Sequence, residues 1–161
     1  MNQKITFYNR EIQTMRRVDF IVGARDFKTL QAEQFMQDGI YAYQPEDDGE
    51  KLAQAMTEGG FGSVPIVDQD RHLLGIVSEF DLLRAIKEEK HLASVKAGDL
   101  MTPNPITVLP ETPAMDIIQL LEAKHLIRMP VVNEEGQLVG VVARRDVLLG
   151  YLNAIRVTRV F

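Results

Sequence analysis

Ser78 and Asp81 stand three residues apart directly after the apolar run Gly75-Ile76-Val77, and a helical pattern begins at the same place. A hydroxyl and a carboxylate at a strand-to-helix junction sit where free backbone N–H groups already favour negative charge. Two uses follow from that chemistry. The pair can cap its own helix, as Ser and Asp commonly do. Alternatively, Asp81 can accept from two vicinal hydroxyls, which suits a ribose. The same string recurs as Gly140-Val141-Val142-Ala143-Arg144-Arg145-Asp146, with Ala143 in place of the hydroxyl residue. Asp146 therefore keeps the potential to hold a ribose but has one polar neighbour fewer, so two equal sites are not expected.

The recurrence reaches well beyond seven residues. At a fixed offset of 65, as from Asp81 to Asp146, Met36 falls on Met101, Pro45 on Pro110, Gln54 on Gln119, Pro65 on Pro130 and Leu83 on Leu148, with no gap. Self-similarity at one period marks a duplicated supersecondary unit. Each copy reads as strand, helix, strand, strand, helix. Tyr41–Tyr43 and Ile106–Val108 are the opening strands. Asp47, with Glu50 three residues on, is expected to cap the first helix, and Thr112, followed by Pro113, its copy. Gly59-Gly60 ends the first helix. Val64–Val67 and Leu73–Val77 form a hairpin around Asp68–Arg71, copied by Met129–Val132 and Leu138–Val142. The last helices start near Asp81 and Asp146. The expected class is α/β (α+β), two repeats related by a pseudo-two-fold axis, each a small sheet packed on two helices. Clefts between such half-domains are where small ligands usually bind.

Composition limits the function classes. With 161 residues the chain can stabilise itself by packing, and with no cysteine it has no disulfide, thiolate metal site or cysteine nucleophile. A net charge of −5 argues against broad binding to nucleic acid. The basic head (Lys4, Arg10, Arg16, Arg17, Arg25, Lys28) reads as a solvated face or a binding patch. Short, charge-interrupted apolar runs and no signal-like order point to a soluble cytoplasmic protein with no membrane partner.

Proline-hydrophobic-Val-Asp, then Gly-Ile-Val-Ser-x-x-Asp opening a helix, in two copies with Met101-Thr102-Pro103 before the second, resembles the cystathionine β-synthase (CBS) domain, two of which form a Bateman module. The resemblance covers about residues 30 to 158. It divides the chain into residues 1–29 of uncertain structure, repeats at 30–93 and 94–158, and a tail at 159–161. It implies a regulatory module that binds an adenosine-containing nucleotide, with AMP favoured and ADP, ATP, S-adenosylmethionine and cyclic dinucleotides open. In the family's crossed arrangement Ser78 and Asp81 hold the ribose, Ile106 and Leu126 line the adenine slot, and Arg128 approaches phosphate, its guanidinium fork matching phosphate oxygens. Arg128 can equally be a surface cation or an ion-pair partner. Ser63, its counterpart, cannot reach phosphate in that way.

Catalysis has no visible constellation. His72, His91 and His125 are scattered, without metal-ligand spacing, and Gly59-Gly60-Phe61-Gly62 lacks the lysine of a phosphate loop. No enzyme activity and no metal are expected. The competing function is a ligand-free interaction or scaffold domain, and in either case the regulated partner is unidentified. The family analogy adds a homodimer formed through helices, with Leu52, Met56, Leu83, Ile117, Leu121, Leu148 and Tyr151 as candidate surfaces. The alternative is that Phe7, Tyr8, Phe20, Ile21 and Val22 fold back over those helices and keep the chain monomeric.

Overall fold

The computed structural model describes residues 4–6 and 26–159. In chain order the elements are β1 (Lys4–Thr6), a 3-10 turn at Phe27–Thr29, α1 (Ala32–Phe35), β2 (Gly39–Tyr41), α2 (Gly49–Gly59), β3 (Ser63–Val67), β4 (Leu73–Ser78), α3 (Glu79–Lys87), a second 3-10 turn at Leu92–Ser94, α4 (Ala97–Leu100), β5 (Thr102–Pro103), α5 (Ala114–Ala123), β6 (Arg128–Val132), β7 (Leu138–Ala143) and α6 (Arg144–Arg159). This is a mixed α/β protein with three small sheets, β1-β2, β3-β4-β5 and β6-β7. Phe7, Tyr8, Phe20, Ile21 and Val22 lie outside the described residues.

Packing divides the chain differently from the duplication. Of the described residues, one compact unit gathers 4–5, 41–105 and 135–138; the other gathers 6, 26–40, 106–134 and 139–159. The short segment that leads each repeat thus packs with the other repeat's elements. In the first unit α4 docks by Ala97 N–H donating to the Asp47 carbonyl (2.7 Å) and Gly98 N–H to that of Pro45 (3.0 Å), while Gly49 N–H donates to Val95 (2.9 Å). In the second, α1 repeats all three bonds: Ala32 to Thr112 (2.9 Å), Glu33 to Pro110 (2.9 Å) and Ala114 to Leu30 (2.8 Å). Two glycines of the repeated string make room for these segments. A Cβ on Gly75 would stand 2.6 Å from Met101 Sδ and 2.8 Å from the Thr102 carbonyl oxygen; one on Gly140 would stand 2.5 Å from Met36 Sδ and 3.1 Å from the Gln37 oxygen.

In the first unit β3 and β4 pair antiparallel from Ser63 opposite Ser78 to Val67 opposite Leu73, with a bulge at Ile66/Val67, and β5 lies beyond β4 with Thr102 opposite Ile76. Val64, Ile66 and Val77 of the sheet meet Leu52 and Met56 of α2, Leu82 of α3 and Ala97 of α4 in one core. Tyr43 closes that core, and burial, reinforced by the Asp47 charge, pushes its phenol above the ordinary value. The second unit builds its core from Val108, Ile117 and Leu121, Met129, Val131, Val142 and Val147, with Leu30, Ala32 and Phe35 from the leading segment.

The helix caps sit one residue later than the sequence suggests. Asp48, not Asp47, is the N-cap of α2 and accepts from Lys51 N–H (2.9 Å), while Asp47 bonds back to Gln44 N–H (2.8 Å). Thr112 makes the matching backward bond to Leu109 N–H (2.9 Å), and α5 starts after Pro113. Short polar side chains serve turns as readily as caps, and here they close the preceding loop. Of the opening strands, Tyr41 ends β2, Tyr43 makes a single parallel bridge with Ile66, and the copy keeps one parallel bridge, Val108 with Val131. Gly60 ends α2 in the left-handed conformation (φ 67°), and His125 takes that position in the copy (φ 52°). Of the expected helical surfaces, Leu52, Met56, Ile117 and Leu121 are instead buried in their own units. Their α-helices face the small sheets, which the apolar spacing alone did not distinguish from an outer face. Leu83, Leu148 and Tyr151 are exposed, as are Phe80 and Ile86 on α3 and Leu149 and Leu152 on α6.

Candidate functional site

The junction of β4 and α3 is built around one carboxylate. Ser78 is in extended conformation and caps α3 in a capping box. Asp81 Oδ2 accepts from the Ser78 backbone N–H and from its hydroxyl, both at 2.8 Å. Capping therefore uses one oxygen only. Among the described residues the other, Oδ1, has Arg84 Nη1 at 3.8 Å as its partner, from a side chain 69% exposed. Exposed pairs of this kind contribute little and exchange readily with water. Helix capping and ligand binding, which the sequence poses as alternatives, are thus compatible at Asp81: the first leaves Oδ1 free to accept from a further hydroxyl.

The junction of β7 and α6 starts alike and ends differently. Asp146 Oδ2 accepts from the Ala143 N–H (2.8 Å), and among the described residues no side-chain hydroxyl joins it. Its Oδ1 accepts from Gln37 Nε2 (2.9 Å), and the residue is only 4% exposed. Gln37 is fixed by its backbone, which exchanges two 2.8 Å hydrogen bonds with Val141. Both Asp146 oxygens are thus engaged. Gln37 escapes sequence reasoning because it lies 109 residues from Asp146. The duplication carries the one available signal, a polar residue directly after Met36 whose counterpart after Met101 is the shorter Thr102.

Ile106, Leu126 and Arg128 belong to the same unit as Asp146, whereas Ser78 and Asp81 belong to the other. Ile106 is exposed, two residues before the parallel bridge of Val108 with Val131, and Arg128 is half-buried at the start of β6. Leu126 is half-buried and its carbonyl accepts from Arg144 Nε (2.6 Å). His72 bonds through Nδ1 to Asp68 (3.0 Å) and tightens the β3–β4 turn. Burial pushes the Asp68 carboxyl up, but hydrogen bonds from the His72 backbone and ring outweigh it and hold the group below its usual value. Among the described residues no three His, Asp or Glu side chains gather as a metal site, and no helix is long and apolar enough to cross a membrane.

The model of the CBS domain matches residues 32–88 and 97–153, one match within each of the two copies. This chain belongs to the CBS domain family. Among curated relatives, the uncharacterized protein MK0525 of Methanopyrus kandleri is 32% identical over 105 residues, 65% of this chain and 54% of that one. CBS domain-containing protein CBSX2, chloroplastic, of Arabidopsis thaliana is 26% identical over 146 residues, with 74% and 61% covered. The family also contributes parts of enzymes: an inosine-5'-monophosphate dehydrogenase of Korarchaeum cryptofilum is 33% identical over 116 residues, 72% of this chain but 23% of the enzyme. The chain thus spans less than two thirds of the length of each of these relatives. Of solved structures, that of CBSX2 in complex with AMP superposes with a TM-score of 0.71 at 30% identity, over 78% of this chain and 98% of that one. The AcuB protein of Vibrio cholerae shares the fold, with a TM-score of 0.75 at 22% identity over 83% of this chain and 98% of that one.

Proposed function

We propose that this CBS pair is a cytoplasmic regulatory module without catalytic activity that binds an adenosine-containing nucleotide, AMP in preference, and whose occupancy alters how it docks onto a partner protein or a second copy. The observation that carries the reading is the uncommitted Oδ1 of Asp81 beside a capped helix start. In this assignment Asp81 and Ser78 take the ribose hydroxyls, Ile106 and Leu126 meet the adenine ring, and Arg128 meets the phosphate. The likeness to CBSX2, whose structure holds AMP, supports the choice of nucleotide. ADP, ATP and S-adenosylmethionine share the adenosine that this chemistry addresses.

A scaffold function without ligand has its own support in the exposed apolar residues of α3 and α6 (Phe80, Leu83, Ile86, Leu148, Leu149 and Leu152), which also suit a homodimer. Two measurements separate the readings. Mass spectrometry of small molecules released from freshly purified, denatured protein identifies an adenine nucleotide if the regulatory reading holds. A thermal-shift series with AMP, ADP, ATP, adenosine and S-adenosylmethionine then raises the melting temperature for the ligands that bind the native state. No released nucleotide and no shift with any of the five would leave the scaffold reading in place.

A further inference from the structure

We infer that Gln37 is a built-in occupant of the second junction: its side-chain amide holds the Asp146 oxygen that would otherwise accept a ligand hydroxyl, and so limits the chain to one nucleotide. The inference rests on the nucleotide reading above and extends it to stoichiometry. Three observations carry it. Asp81 and Asp146 use the same oxygen, Oδ2, to cap their helices, so the difference between them is confined to Oδ1. Among the described residues, Oδ1 in the first unit faces an exposed arginine 3.8 Å away on its own helix; in the second it accepts a 2.9 Å hydrogen bond from Gln37. Finally, Gln37 is itself exposed while Asp146, which it bonds, is 4% exposed as a residue, the arrangement of a cover and not of a core contact.

The amide suits this role. Its Nε2 is a donor, as a ribose hydroxyl is, so it satisfies the buried carboxylate without a countercharge. It is tethered by a backbone that Val141 holds on both sides, so an incoming ligand competes with a donor already in place at no further cost in translational entropy. At the equivalent position the first unit has Thr102, exposed and two side-chain atoms shorter in reach. Ala143 acts in the same direction, because the second junction lacks the hydroxyl that Ser78 supplies.

Calorimetric titration of AMP into the full chain tests the inference, using Gln37→Thr, which installs the residue of the other copy, and Gln37→Ala. The expected result is one nucleotide per chain for the unaltered protein and two for either variant, with one retained in Gln37→Thr combined with Asp81→Ala. Thermal melts verify that each variant folds; Gln37 is exposed, so both substitutions are compatible with the core. If the unaltered protein binds one AMP and both folded variants still bind one, Gln37 has no such role and the nucleotide reading stands. Two AMP per unaltered chain would also overturn the inference. If neither the protein nor its variants take up AMP, the nucleotide reading falls and this inference with it.

Discussion

At the end of β4 a carboxylate caps its helix with one oxygen and turns the other toward an exposed arginine; at the end of β7 the same carboxylate caps its helix in the same way and gives the other oxygen to a glutamine from the far end of the chain. What the two junctions share is what the fold requires: a helix start with its first N–H groups satisfied and a strand ending on a glycine-containing run. What differs is outside that requirement. The duplication has therefore kept the structural half of each aspartate and varied the half open to function, so identity of residue type at positions 81 and 146 does not imply identity of role.

Assembly tests the feature that both copies retain, the apolar residues exposed on α3 and α6. Light scattering over a dilution series should give about twice the 18.2 kDa chain mass if these helices pair two copies. A mass of one chain at tens of micromolar, with and without AMP, contradicts the homodimer. Next in size, Arg128→Ala should weaken AMP about ten- to a hundred-fold while leaving adenosine nearly unchanged, because a charged hydrogen bond contributes about 1.5–3 kcal/mol. Equal losses for both ligands would remove Arg128 from the phosphate.

The glycines sharpen the comparison at the level of packing. Gly75→Ala places its methyl against a backbone oxygen and should destabilise by about 1–3 kcal/mol, the usual range of overpacking. Gly140→Ala should cost less: both methyls meet a methionine side chain that can shift, but the backbone oxygen stands 3.1 Å away at Gly140 against 2.8 Å at Gly75. Smaller still is the difference between the two aspartates. Asp146→Ala leaves a buried Ala143 N–H without its acceptor, at about 1–3 kcal/mol. Asp81→Ala removes a partly exposed cap, at about 1 kcal/mol. Chemical denaturation of both variants should rank Asp146→Ala as the less stable, and the reverse order would show that the first carboxylate is the more structural.

Much of this architecture is legible in the sequence, for local reasons. The hairpin strands alternate around polar turns, Gly59-Gly60 stops a helix, and the string ending in Asp81 joins a strand to a helix through side chains three residues apart. What is not legible depends on long-range packing. No local pattern tells that α1 and α4 dock in the unit of the other repeat, since each helix is only four residues long. Leu52, Met56, Ile117 and Leu121 have the spacing of any amphipathic helix, and only the sheets beside them decide that this face is internal. Asp47 and Thr112 are both good caps and good turn formers, and the loop won each of them. Gln37 is invisible until its partner is found across the chain.

The most direct test of the central claim, that Asp81 is the aspartate open to ligand, is calorimetry of AMP binding to the unaltered protein and to Asp81→Ala, with circular dichroism to verify the fold. The account predicts binding by the unaltered chain and loss of most of the binding heat in the variant, with the spectrum intact. Unchanged affinity in a folded Asp81→Ala protein would contradict it.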